Sequence, residues 1–133
     1  MARILIIEDN EMDRELLVRR LSKQGHELRL AASGEAGIEM AESAGTDLIV
    51  LDLGLPGMDG WEVAAVLRRQ SATRAIPILA VTAHARQCDL ERALLCGCDE
   101  FETKPVSGDR LTAKVNRLLA NRLSPVIEGD VET

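Results

Sequence analysis

The stretch LIVLDLGLPGMDG, residues 48–60, carries the deciding pattern of this chain. LIVL is a continuous apolar run bounded by acids, the pattern of a strand buried on both faces of a sheet. Asp52 follows at its carboxyl end, and Gly57 and Gly60 suit the sharp loop that leads into a helical segment opening near Trp61.

Outward from this stretch, ILII at residues 4–7 and ILAV at 78–81 repeat the same apolar character. Five segments read as strands: about Arg3 to Glu8, Glu27 to Ala31, Asp47 to Asp52, Pro77 to Val81 and Glu100 to Thr103. The second alternates Leu28 and Leu30 with polar residues, and the fifth is short and polar, so both read as edges. Pro77 opens its strand, where a missing backbone donor costs least. Between them lie segments of helical period. The first helix is expected from Met12 to Gln24, with Met12, Leu16, Leu17 and Leu21 on one stripe and Gly25 ending it in a left-handed conformation. Ser33 is placed to cap the second helix, and Ser107 the fifth, whose Leu111, Val115, Leu118 and Leu119 recur at helical spacing. The third covers about Trp61 to Arg69 and the fourth about Arg86 to Cys96. Strands alternating with helices predict an α/β fold, doubly wound around a parallel sheet. Residues 1–122 are expected to form one domain, and 123–133, with Pro125, Gly129 and several acids, a short flexible acidic tail.

The chain has 133 residues, enough to bury a proper core, and 46% of them are hydrophobic. Trp61 and Phe101 are its only aromatic residues, which removes the stacking platforms used by single-stranded nucleic acid binders. A net charge of -6 disfavours phosphate backbones and anionic lipid, and points to protein partners instead. No stretch approaches the roughly 20 apolar residues of a membrane span, and MARILIIEDN lacks the long apolar stretch and small-residue cleavage site expected of a signal peptide. Cys88, Cys96 and Cys98 lack zinc-site spacing and read as small packing residues in a reducing, cytoplasmic setting.

Functional groups of a doubly wound sheet gather at the carboxyl ends of its strands. Here Glu8 and Asp9 end the first strand, Asp52 the third and Thr82 the fourth, while Lys104 follows the fifth. Three carboxylates on one rim repel one another unless a cation is present, and hard oxygen ligands of this number suit Mg²⁺. A carboxylate flanked by that metal, a lysine and a hydroxyl is arranged to attack phosphorus. Each residue also has a plainer explanation as a cap or loop residue, but chance would have to place all of them at one end of different strands.

With the acidic pair in ILIIEDN, the segment LDLGLPGMDG, then AVTA and FETKP, residues 3–121 resemble the receiver domain of bacterial response regulators, including the chemotaxis-type single-domain ones. The resemblance implies a flavodoxin-like strand order 2-1-3-4-5. It implies that Asp52 accepts a phosphoryl group from a sensor histidine kinase or phosphotransfer protein. Mg²⁺ would be bound by Asp9 and Asp52 directly, by Glu8 through water, and by the Gly54 carbonyl. Thr82 and Lys104 would contact the phosphoryl oxygens, Phe101 would be the aromatic switch, and Lys104-Pro105 would be a cis peptide. Output would pass by protein contact through the fourth helix, fifth strand and fifth helix to an unknown target, with no chemistry beyond the domain's own phosphorylation and dephosphorylation. Gly54 departs from the commonest pattern, and His84, two residues after Thr82, is a candidate for timing the loss of phosphate.

Two other classes fit the residues less well. A phosphatase of the haloacid dehalogenase type needs an acid two residues after its nucleophile, where Gly54 stands. A flavin site needs a phosphate loop after the first strand, where Glu8 and Asp9 would repel it. Trp61 reads as an anchor of the third helix, His26 as an exposed turn residue, and Arg68, Arg69 and Glu91 as solvated helix faces.

Overall fold

The structure is a computed structural model that describes residues 2–43, 45–83 and 86–122. Five strands, β1 (Arg3–Ile7), β2 (Glu27–Ala31), β3 (Leu48–Asp52), β4 (Ile78–Thr82) and β5 (Glu100–Thr103), alternate with α1 (Glu11–Ser22), α2 (Gly34–Glu42), α3 (Gly60–Arg69), α4 (Gln87–Leu95) and α5 (Gly108–Arg122). The strands pair in parallel in the order β2-β1-β3-β4-β5, the expected one. His84 and the segment 123–133 lie outside the described residues.

Alternation along the strands divides the core into two layers. Ile4, Ile6, Leu48, Val50, Leu79 and Val81 face Leu17 and Leu21 of α1 and Leu111, Val115 and Leu118 of α5. Their neighbours Leu5, Ile7, Ile49, Leu51, Ile78 and Ala80 face Ala41 of α2, Val63, Ala64 and Leu67 of α3, and Ala93 of α4. All residues of β3 and β4 are buried, whereas the edge β2 is largely accessible, as their composition implied.

Several sequence expectations shift. The first helix begins at Glu11 under an Asn10 cap and ends at Ser22, two residues short of the expected end. Gly25, at φ 79°, then makes the reversal. Met12 is 80% exposed and not on the buried stripe. It lies five residues before Leu17, a rotation of about 140° from that face at 3.6 residues per turn. Ser33 caps α2 by accepting from the Ala36 N–H, as expected. Asp59 and Glu62 close a capping box on α3, which places its start at Gly60. Arg68 is no solvated face residue: it donates to the carbonyls of Gly97, Arg74 and Ile76 and to Asp99, tying α3 to the ends of two loops. His26 is half-buried, its Nδ1 accepting from the Ala2 N–H at 3.1 Å, and burial lowers its pKa.

Cys98 is buried and its thiol is pushed up to about 12, chiefly by burial, so it remains protonated and serves packing. Among the described residues no helix is long and apolar enough to cross a membrane.

Candidate functional site

The parallel sheet delivers its carboxylates to one rim. Glu8 follows β1 by one residue and Asp52 is the last residue of β3, and both side chains are buried, while Asp9 beside them is exposed. One carboxylate oxygen from each of the three lies within 4.8 Å of the others. Such a cluster holds two buried anions in poor solvent, and its electrostatics show the cost. The Glu8 carboxyl is raised from the ordinary value to about 7, first by burial and then by the charge of Asp52, although the Lys104 ammonium pulls it back.

Lys104, carried just beyond β5, is the counter-charge. Its Nζ lies 3.0 Å from Glu8 Oε1, 2.9 Å from Asp13 Oδ2 and 3.6 Å from Asp52 Oδ1. Burial lowers its pKa, but hydrogen bonds to Asp13 and Glu8 and the charge of Asp52 outweigh that, so it is held above the usual lysine value and stays charged. The Lys104-Pro105 peptide is cis, as expected.

Backbone groups orient the acids. The Gly54 N–H donates to Asp52 Oδ1 at 3.1 Å, and the Asn10 N–H donates to Glu8 Oε2 at 3.1 Å. Both Glu8 oxygens therefore already have protein donors. Gly60 closes the loop against β3. A Cβ there would sit 2.5 Å from the Asp52 carbonyl oxygen and the Leu53 Cα, so only glycine allows this approach.

Thr82 ends β4 beside Thr103, and its carbonyl accepts from the Lys104 N–H at 2.8 Å, so the two strands present Thr82 and Lys104 together. Phe101 on β5 is half-buried against the core layer of α2–α4. Its carbonyl accepts from Lys114 at 2.6 Å, and the same ammonium lies 5.7 Å from its ring centre.

The rim thus brings together Glu8, Asp9, Asp52, Gly54, Thr82 and Lys104, which are scattered over almost a hundred residues of sequence. Asp13 and Asn10 belong to the same constellation and were not singled out from sequence. Asp13 stands in the first turn of the helix that directly follows Glu8 and Asp9, and that nearness in sequence was the available signal. The donor set fits a hard divalent cation: three carboxylates converge, and one is pushed towards protonation when only protein charges neutralise them.

Residues 4–116 match the family model of the response regulator receiver domain. The chain is 40% identical over 119 residues to the transcriptional regulatory protein AfsQ1 of Streptomyces coelicolor, covering 90% of this chain and 52% of that protein. It spans about half of AfsQ1, but it spans 99% of protein PilH of Pseudomonas aeruginosa, at 32% identity over 120 residues and 90% of this chain. A solved receiver domain of a Pseudomonas aeruginosa sensor histidine kinase superposes with a TM-score of 0.84 at 31% identity, covering 90% of this chain and 98% of that one. It carries a magnesium ion coordinated in its active site cleft.

Proposed function

The chain belongs to the response regulator receiver domain family of two-component systems, and from that premise we propose that Asp52 is its phosphoacceptor. The family works as a phosphoacceptor switch served by histidine kinases or phosphotransfer proteins, and its members bind Mg²⁺ at an acidic pocket. The observation that carries the assignment here is Asp52 itself: buried at the end of β3, with Oδ1 held by the Gly54 N–H and facing Lys104 at 3.6 Å. In this reading a carboxylate oxygen of Asp52 attacks phosphorus. Its bond to phosphorus forms as the bond from phosphorus to the donor's imidazole nitrogen breaks, and that nitrogen regains a proton.

In this reading Asp9 and Asp52 would hold Mg²⁺ directly and Glu8 would act through a water on the metal, since both Glu8 oxygens are already engaged by Lys104 and the Asn10 N–H. The Gly54 carbonyl would complete the protein ligands. Bound Mg²⁺ would offset charge on the transferred phosphoryl oxygens. Lys104 supplies a second fixed cation, and the Thr82 hydroxyl a donor to the same oxygens. Phe101 would respond by packing, and the α4, β5 and α5 face would carry the signal to a protein target. No turnover of an external substrate is assigned beyond self-phosphorylation and dephosphorylation. Residues 1–122 would act as the receiver unit in the cytoplasm, with 123–133 as an appended tail, and His84 would tune phosphoryl lifetime.

Beryllofluoride with Mg²⁺ tests the coupling. Amide shifts should spread from Asp52 through Thr82 to β5, α4 and α5, and in Thr82→Ala the far part of that pattern should shrink. An equally extensive pattern in both proteins would contradict it.

Mg²⁺ binding should also depend on pH. Glu8 with a carboxyl near 7 is largely protonated in the free protein below that value, so the site is one negative charge short and the proton competes with the cation. Affinity should rise between about pH 6 and pH 8, and near neutrality binding should release protons. Calorimetry in two buffers of different ionisation enthalpy reads the release directly. No dependence on buffer near pH 7 would remove Glu8 from the metal's influence.

A further inference from the structure

The phosphoacceptor loop and α4 are joined by a side chain outside the Thr82 and Phe101 pair. Trp61, the protein's only tryptophan, is the second residue of α3. Its helix start is tightly fixed to β3: the Gly60 N–H donates to the Leu53 carbonyl at 3.2 Å, the Asp59 and Glu62 capping box locks the first turn, and the Cα of Gly60 sits where no side chain fits against Asp52 and Leu53. Any displacement of the backbone after Asp52 must therefore move the base of the Trp61 side chain.

At its other end the indole grips α4. Its Nε1–H donates to the Asp89 carbonyl at 3.3 Å, and the Arg92 guanidinium lies 4.5 Å over the ring centre. These contacts hold two successive turns of a helix that is otherwise loosely held. Among the described residues of α4 only Asp89 and Ala93 are buried, its Arg86 cap makes no side-chain capping bond, and Leu94 and Leu95 stand exposed. Most of the other buried side chains on that side of the sheet belong to α2, α3 and the strands.

We propose that Trp61 is a positioning residue that transmits the state of the Asp52 loop from α3 to α4, a second route beside the one through β4 and β5. It rests on the phosphoacceptor reading of Asp52 and extends it. A hydrogen bond and a cation over one ring are each weak and directional, so a small rotation of the α3 start changes both together. That suits a link which re-registers a helix rather than one which only holds it.

The test uses the whole protein and beryllofluoride with Mg²⁺. Emission from Trp61 should change on beryllofluoride binding in the parent and remain unchanged in Asp52→Asn. In Trp61→Phe, acetyl phosphate should still add one phosphoryl group by intact mass. The beryllofluoride-induced amide shifts in α4 should then fall severalfold while those at Thr82 and β5 persist. Arg92→Lys should keep the parent response and Arg92→Gln should weaken it. A purely structural anchor would lower thermal stability without altering that ratio. Parent-sized α4 shifts in Trp61→Phe, or parent emission that ignores saturating beryllofluoride, would overturn the proposal. Failure of the underlying reading shows separately, as a parent that gains no phosphoryl mass. That result would also overturn the link, since it leaves no phosphorylated state of the Asp52 loop to transmit.

Discussion

Asp52→Asn is expected to reduce phosphoryl incorporation from acetyl phosphate or a cognate kinase to background while leaving the fold intact. The amide cannot act as the nucleophile, and no other carboxylate of the cluster has the same placement: Glu8 has both oxygens engaged, and Asp9 is exposed. The substitution also removes one of the charges that raise Glu8, so the Glu8 carboxyl should fall below about 7. At neutral pH without Mg²⁺ the variant should therefore be more stable than the parent, by on the order of 1 kcal/mol, since a charge repulsion between two buried acids is relieved. Thermal melts in chelator and in Mg²⁺ show both effects, with the metal stabilising the parent more than the variant. A variant that still gained a base-labile phosphoryl group would place the acceptor elsewhere.

Lys104→Ala should have the largest effect on stability. One ammonium serves Glu8, Asp13 and Asp52, and its loss leaves buried Glu8 facing Asp52 with no cation between them. Uncompensated buried charge of this kind costs about 3 kcal/mol, and the metal-free protein should show it most. The sign with pH follows from Glu8. Its folded carboxyl lies above the unfolded value, so its protonated form favours folding at low pH, and that contribution is lost as pH rises through about 7. Removing Lys104 takes away a group that lowers this pKa, so it rises further and the parent and variant diverge most above neutrality. Denaturant midpoints at about pH 5 and about pH 8 should differ in that order, with the smaller gap in acid. An equal gap at both would mean that the ion pairs to Asp13 and Asp52, not the one to Glu8, dominate.

The fold was legible because its three central strands are apolar without interruption. LIVL, ILII and ILAV are short apolar runs of the kind found in strands covered on both faces, helical segments alternate with them, and in a parallel sheet their carboxyl ends meet on one rim. Glu8, Asp9, Asp52, Thr82 and Lys104 could thus be grouped without contacts. What sequence could not supply was the partner each long side chain selects. Lys104 reaches Asp13, ninety-one residues away in the chain, and Arg68 turns inward to carbonyls on two loops. Both outcomes depend on loop paths that periodicity does not encode. Met12 departs from its expected place for a related reason: apolar character alone does not bring burial, and its angle on α1 points it away from Leu17 and Leu21. Trp61 was legible as an anchor of α3, but its grip on Asp89 and Arg92 required the position of α4.

This rim should take a phosphoryl group on Asp52 in a reaction that needs Mg²⁺. The most direct measurement is intact mass after incubation of the parent protein with acetyl phosphate, with Mg²⁺ or with chelator, followed by mapping of the modified peptide. One base-labile phosphoryl group on the peptide that contains Asp52, formed with Mg²⁺ and absent in chelator, is the predicted result. Modification of a different residue, or equal modification without the metal, would contradict it.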